Sequence, residues 1–449
     1  MNESNLKVGF SKVDITPPLG VCMAGYYSKR LAEGILDPLY ASALSISDLD
    51  DNIKVIIISC DLIGLDTEYV NITKKYICER LGLTEEKILI HSTHTHTGPF
   101  GRKQKDKEKA ERLGGQDEEY IAMLERKIAD AAQMASGNLK KVTLKVGYGS
   151  EDSISFIRRY RMKDGSIKTN PGIGNTDIIG PNGEKDPTVF TARFKYADGS
   201  GEILLVNFAL HPDTTSGSYI SADYPGHMRS AIKRHIPNCE VVYINGAAGD
   251  INHIDAMHPG RTSVGYEYSS KLGNILAAEV LKIYQNLSDI SAADAYSNII
   301  CSTSKVIKVP LRKINSAQVE QSHEIVQAFY NGEWKAKNMG STPDLAKAYQ
   351  TLKIAGLGDS IMMEIQVIVI KGVTFIGLPG EVFSEIGRKI KNKSPFKHTF
   401  ISSVTNGTLG YFPTRTAFNE GGYESRNNPF TEELEDLLVN TSIELLNSI

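Results

Sequence analysis

Lys87-Ile88-Leu89-Ile90-His91-Ser92-Thr93-His94-Thr95-His96-Thr97-Gly98-Pro99 is the stretch whose reading decides the fold of this chain. A short apolar run closed by a Gly-Pro turn signal reads as a buried strand running into a loop. Residues two apart on an extended chain share a face, so His94 and His96 emerge side by side at the strand's exit. Two imidazoles there suit a transition metal such as zinc, or form a hydrogen-bonded pair in a loop. The choice between the two rests on whether other strands deliver further ligands.

Working outward, several do. Lys54–Ser59 is a nearly continuous apolar strand, and periodicity predicts helices over Thr67–Leu81 and Glu118–Ala135. Alternating strands and helices predict an α/β fold, a layered mixed β-sheet core with flanking helices and a metal site at the strand ends. Thr188–Tyr196 and Glu202–Leu210 form a hairpin around Asp198-Gly199, and its second strand runs out at His211. A strand over Glu240–Ile244 enters Asn245-Gly-Ala-Ala-Gly249-Asp250-Ile-Asn252-His253. Its small residues permit either close approach to a ligand or a tight strand-to-helix turn. Asp223 is placed to N-cap a helix reaching His235, with Pro225 in its first turn. Val373–Ile376 ends in Glu381, read as the start of a helix whose dipole favours a carboxylate, or as a zinc ligand.

Arg158, Arg159 and Arg161 are placed either to grip an anionic group or to line a solvated strand face. The charged run at 100–117 is a surface segment or a lid beside the site, and 165–185 is longer than a simple connection. Ala295–Pro310 reads as a long strand. Ala317–Asn331 and Pro343–Ile354 read as a small helical insertion at about 311–360 in what is otherwise a single domain, residues 1–449.

Bulk properties exclude several function classes. A net charge of -3 and 23% charged residues over 449 residues call for neither nucleic acid nor an anionic membrane. No window reaches the ~18 apolar residues of a membrane-spanning helix, so no stable membrane insertion is expected. Five scattered cysteines without a CxxC pair signal neither a disulfide framework nor a thiolate zinc site. With no apolar leader segment, a cytoplasmic location is the expectation.

Gly9-Phe-Ser-Lys-Val-Asp14-Ile-Thr16-Pro17, Gly34-Ile-Leu-Asp37-Pro38, His94-Thr-His96-Thr-Gly98-Pro99, Asn207-Phe-Ala-Leu-His211-Pro212, Asn245-Gly-Ala-Ala-Gly249-Asp250, Pro379-Gly380-Glu381 and the Asn406–Thr414 segment succeed one another in order. Together they resemble the catalytic domain of the neutral/alkaline ceramidases. The resemblance implies one Zn2+ per chain held by His94, His211, Glu381 and Tyr411, with His96 outside the ligand set as a proton carrier. It also marks a departure: where that family carries a serine assigned as nucleophile or transition-state contact, this chain has Asn252. Asparagine forms no acyl-enzyme but can donate to a developing oxyanion. The family's secretion signal and C-terminal immunoglobulin-like domain have no counterpart here, which turns the expectation away from a membrane sphingolipid.

The expected activity is therefore zinc-dependent hydrolysis of an amide or ester in a small, soluble, polar or anionic substrate, by zinc-activated water. His96, Asp250, Asn252 and His253 are the candidate catalytic residues. Arg158, Arg159 and Arg161 are the candidates for substrate binding. A metal-dependent isomerase, epimerase or lyase acting on a sugar-like substrate fits the loss of the serine equally. A non-catalytic binding protein with a decayed site is the third class.

Overall fold

The computed structural model describes residues 5–26, 28–51, 54–104, 107–260, 264–291, 300–333 and 342–449. Eight strands form the path of a large mixed sheet: β1 (Leu6–Asp14), β2 (Tyr40–Asp48), β3 (Lys54–Cys60), β4 (Ile88–Ser92), β5 (Lys140–Ser150), β6 (Thr188–Tyr196), β7 (Glu202–Phe208) and β8 (Cys239–Asn245). Their order is β8-β7-β6-β5-β1-β2-β3-β4, with the short Ser288–Asp289 segment pairing onto β5. A second sheet holds β9 (Ile300–Pro310), β10 (Ser360–Ile370), β11 (Val373–Gly377) and β12 (His398–Ser402) in sequential order.

The alternation of β3 explains why its sequence is apolar throughout. Val55 and Ile57 face the second sheet, in one core with Phe375 and Phe400. Ile56 and Ile58 face the helices α1 (Thr67–Leu81) and α2 (Glu118–Gly137), with Val70, Ile77 and Ile128. A strand covered on both faces needs apolar residues at every position. On the same side of the large sheet, α3 (Asp223–His235) and α4 (Tyr266–Gln285) pack over β7 and β8. The outer face of the small sheet is covered by α5 (Ser384–Lys393) and α6 (Leu434–Ser448). The layers are thus helix, sheet, sheet, helix, and no helix among the described residues is long and apolar enough to cross a membrane.

α1 spans the residues its periodicity predicts and stops at Gly82, whose φ of 64° closes the helix in the left-handed region. α2 begins where the Asp117 side chain accepts the Tyr120 N–H. The strand read over Ala295–Pro310 is present from Ile300, and 295–299 lie outside the described residues. The two accessory helices are Ser316–Tyr330 and Thr342–Ala355, and Leu113 of the charged run packs with them.

Two local expectations are corrected. Ala222, not Asp223, occupies the N-cap of α3. Asp223 is the first helical residue, at φ 56°, and its carboxylate accepts the N–H groups of Thr215 and Tyr224. Glu381 does not begin a helix: it lies on a short strand paired in parallel with Tyr411–Phe412, and α5 starts at Ser384.

Among the described residues, only three strand pairs in the two sheets are parallel: β3 with β4, β7 with β8, and β11 with β12. A parallel pair sends both of its carboxyl ends the same way, and ligand sites in such folds gather beyond those ends.

Candidate metal centre

Each parallel pair delivers part of one cluster. His94 lies two residues past the end of β4, and its ring Nδ1 donates to the Ile63 carbonyl (2.6 Å), just past the end of β3. His211 lies three residues past β7, and its Nδ1 donates to the Ala248 carbonyl (2.9 Å), just past β8. One strand thus supplies the imidazole, and its parallel neighbour supplies the carbonyl that orients it. Glu381 comes after β11 and Tyr411 after β12, placed side by side by the Glu381–Tyr411 register of their short strands.

The four groups are buried. With each Nδ1 committed as a donor, His94 and His211 turn the lone pair of Nε2 inward. These atoms lie 3.4 and 3.2 Å from the same oxygen, Glu381 Oε2. Nε2 of His94, His96 and His211 and Oε2 of Glu381 are all buried without a hydrogen-bond partner. The three histidines hold their donor atoms within 4.8 Å of one another, which is metal-binding spacing. Burial holds the His96 imidazolium pKa down to about 3 and lowers that of His211, keeping both neutral ligand-type bases.

The backbone concedes strain to make this geometry. His94 sits at φ 78°, a left-handed conformation uncommon for a residue other than glycine, pinned by its N–H on the Leu62 carbonyl (2.8 Å). At Gly249 a Cβ would stand 2.3 Å from the Glu381 carbonyl oxygen, so only glycine lets these two segments approach. Asn245 joins both histidine loops. Its side-chain amide donates to the Thr93 carbonyl (3.3 Å), and its Oδ1 accepts the Leu210 N–H (3.3 Å).

His91, read only as part of a strand, is a buried tie between the large sheet's two ends. The Asn245 N–H donates to its Nε2 (3.0 Å), so its proton is on Nδ1, donated to the Ser403 carbonyl (2.8 Å).

The arginines do not act as one anion grip. Arg158 Nε contacts Glu424 Oε1 (2.9 Å) and Nη2 donates to the Gly249 carbonyl (2.7 Å). Arg159 pairs with Glu424 and Glu420, both at 3.1 Å, while Arg161 is exposed. The first two balance the buried carboxylate of Glu424, which carries no local sequence signal. Arg158 also lies over the Tyr411 ring, 5.1 Å from its centroid. Burial and the charge of Glu381 raise the Tyr411 phenol well above its usual pKa, against the pull of Arg158.

The loop after β8 is divided among different tasks. Asp250 gives both carboxylate oxygens to Ser384 at the start of α5, accepting its N–H (2.7 Å) and its hydroxyl (2.9 Å). Both oxygens of this catalytic candidate are thus committed to a helix end. Asn252 donates to Asn170 Oδ1 (2.9 Å) and accepts the Ile254 N–H (3.0 Å), so its amide braces the loop. His253 Nδ1 meets Asp213 Oδ1 at 3.0 Å, and its Nε2 is buried without a hydrogen-bond partner. Burial opposes protonation of His253, but Asp213 raises its pKa above the ordinary value. Asp213, two residues beyond His211, had no sequence signal of its own.

A sequence model described as neutral/alkaline non-lysosomal ceramidase, N-terminal, matches residues 6–231, about half of the chain. The fold matches the crystal structure of neutral ceramidase from Pseudomonas aeruginosa at a TM-score of 0.72 and 16% identity, covering 99% of this chain and 74% of that one. A structure described as ceramidase complexed with C2 matches at the same TM-score and identity, over 99% and 75% of the two chains. At this identity the likeness is one of fold. No curated protein matches.

Proposed function

The chain belongs to the neutral/alkaline non-lysosomal ceramidase family, and from that premise we propose that it is a zinc-dependent hydrolase of an amide, or an ester, in a small polar substrate. His94, His211, Glu381 and Tyr411 would hold one zinc per chain, beyond the ends of the three parallel strand pairs.

The observation that carries this reading is the convergence of bare acceptors. Two imidazole lone pairs lie 3.4 and 3.2 Å from one carboxylate oxygen, all buried and all without a hydrogen-bond donor. Buried acceptors facing one another are costly unless a cation lies among them. Nitrogen and oxygen donors of this kind suit zinc, and the two backbone carbonyls fix the tautomer that leaves Nε2 free to bind it. When bound, zinc would polarise the scissile carbonyl and activate water.

The remaining residues have separable tasks. Arg158 holds Tyr411 in place through its stacked guanidinium. His253, oriented by Asp213, would move a proton to the leaving group, and His96, beside the ligand set, would be a second proton carrier. The segment Gly249–His253 contains no hydroxyl or thiol side chain. Water, not a side chain of that loop, would be the nucleophile, and no covalent intermediate would form there. The accessory helices would be an insertion in a single catalytic unit, and five cysteines without a disulfide fit a cytoplasmic setting.

The test is product mass from a panel of amides, esters and sugar acids. Two fragments whose masses sum to substrate plus one water are expected. A product of unchanged mass would overturn hydrolysis in favour of isomerisation.

A further inference from the structure

Among the arginines around the cluster, Arg158 and Arg159 are paired with Glu424 and Glu420, and Arg229 with Asp61. Arg30 differs. It is half-buried, and the partners its side chain shows are neutral. Nη1 donates to the Gly217 carbonyl (2.6 Å) and Nη2 to the carbonyls of His96 (2.8 Å) and Ala24. No carboxylate among the described residues forms an ion pair with it, and its Nε is buried without a hydrogen-bond partner. Burial, with only the Tyr26 ring opposing, works against its charge. An anion beside it would relieve that cost.

Its position places that anion near the cluster. The guanidinium stacks 4.2 Å over Tyr26, and Tyr26 meets the His96 ring edge-on at 6.0 Å. His96 in turn lies 5.1 Å from His94 and 5.6 Å from His211, centroid to centroid. A fixed planar cation therefore stands two rings away from the proposed ligands. Arg30 is part-exposed, and the Tyr26 ring it stacks on and its neighbour Leu31 are exposed.

We propose that Arg30 binds a carboxylate on the substrate and makes amides bearing that group, such as N-acylated amino acids, the preferred substrate class of this site. The proposal rests on the hydrolase reading above and gives it a substrate class. It also reassigns to Arg30 the anion recognition that the sequence placed on Arg158, Arg159 and Arg161.

The experiment compares an N-acylated amino acid with the matched N-acylated amino alcohol, in hydrolysis and in calorimetric binding. Wild type, Arg30→Lys and Arg30→Met are assayed, with zinc content measured for each. Wild type should prefer the acid. Arg30→Met should raise KM and Kd for the acid by on the order of 10- to 100-fold, the loss of a hydrogen-bonded charge. Its kcat, its zinc and its handling of the alcohol should stay close to wild type, and Arg30→Lys should fall between. Equal losses for acid and alcohol would show that Arg30 only clamps its loop, and would overturn the proposal. Turnover by wild type without charge preference would overturn it as well, leaving the hydrolase reading standing. Charge-selective binding that depends on Arg30, with neither compound turned over, would uphold Arg30 and count against the hydrolase reading.

Discussion

Replacing Asp250 with asparagine tests whether this carboxylate is a structural bond or a catalytic group. Asp250 is buried, and burial pushes its pKa up to about 6 despite the two bonds from Ser384. An unfolded aspartate titrates near 3.9, so the folded state favours the protonated form by roughly two units, about 3 kcal/mol. The sign comes from the direction of the shift. A carboxyl raised on folding contributes its stability below the unfolded pKa and loses it as pH rises through the folded one. The window is therefore about pH 4 to 6. The asparagine side chain in Asp250→Asn would keep an oxygen for the Ser384 N–H and carries no charge at any pH. Urea unfolding of both proteins, stripped of metal with chelator, should show Asp250→Asn gaining on wild type by about 3 kcal/mol from pH 4 to pH 7. A stability difference that does not change across that range would refute the raised pKa. Loss of turnover in a variant that folds and holds metal normally would restore Asp250 to the catalytic set.

The same geometry sets two further outcomes. His253→Gln should lower kcat by on the order of 10²- to 10⁴-fold while zinc content stays at the wild-type level, read by steady-state kinetics beside metal analysis. Unchanged kcat would remove His253 from the proton path. Glu424 is fully buried between Arg158, Arg159 and Thr169. Glu424→Ala leaves two buried cations short of a partner and should cost about 3–5 kcal/mol in chemical denaturation, and a loss below about 1 kcal/mol, the range of an exposed pair, would contradict the buried network.

The strands and their exits were legible because burial on both faces writes itself into the sequence. Val55 to Ile58 and Ile88 to Ile90 are apolar at every position, and each run gives way abruptly to polar residues. His94 and His211 stand out for that reason. The partners of the arginines were not legible. Arg158 and Glu424 are 266 positions apart, and nothing local to either announces the other. Three arginines in four residues therefore read as an anion grip or a solvated strand face, and the fold shows two of them paired with glutamates. Glu381 was half legible, as a helix start or as a ligand. A carboxylate three residues before a helix looks like a helix-start residue, and only its pairing with Tyr411 places it beside the imidazoles. The partner of Asp250 was not legible either, because an aspartate after a glycine in a strand exit has the same local pattern whether it faces a ligand or a helix end. Arg30 had no pattern at all, being half of an isolated Lys29-Arg30 pair with nothing local to mark it as different from a surface cation.

Metal content measures the central claim most directly. Protein purified without added metal, and His211→Ala prepared in parallel, would be assayed for zinc per chain, with circular dichroism confirming that both are folded. Structural zinc sites bind with about 10–16 kcal/mol, so one ligand of four accounts for roughly 3 kcal/mol, or on the order of 10²-fold in affinity. The predicted result is roughly one zinc per wild-type chain and, after dialysis against a weak chelator, almost none in His211→Ala. No metal in wild type even after reconstitution, or equal zinc in the two proteins, would contradict it.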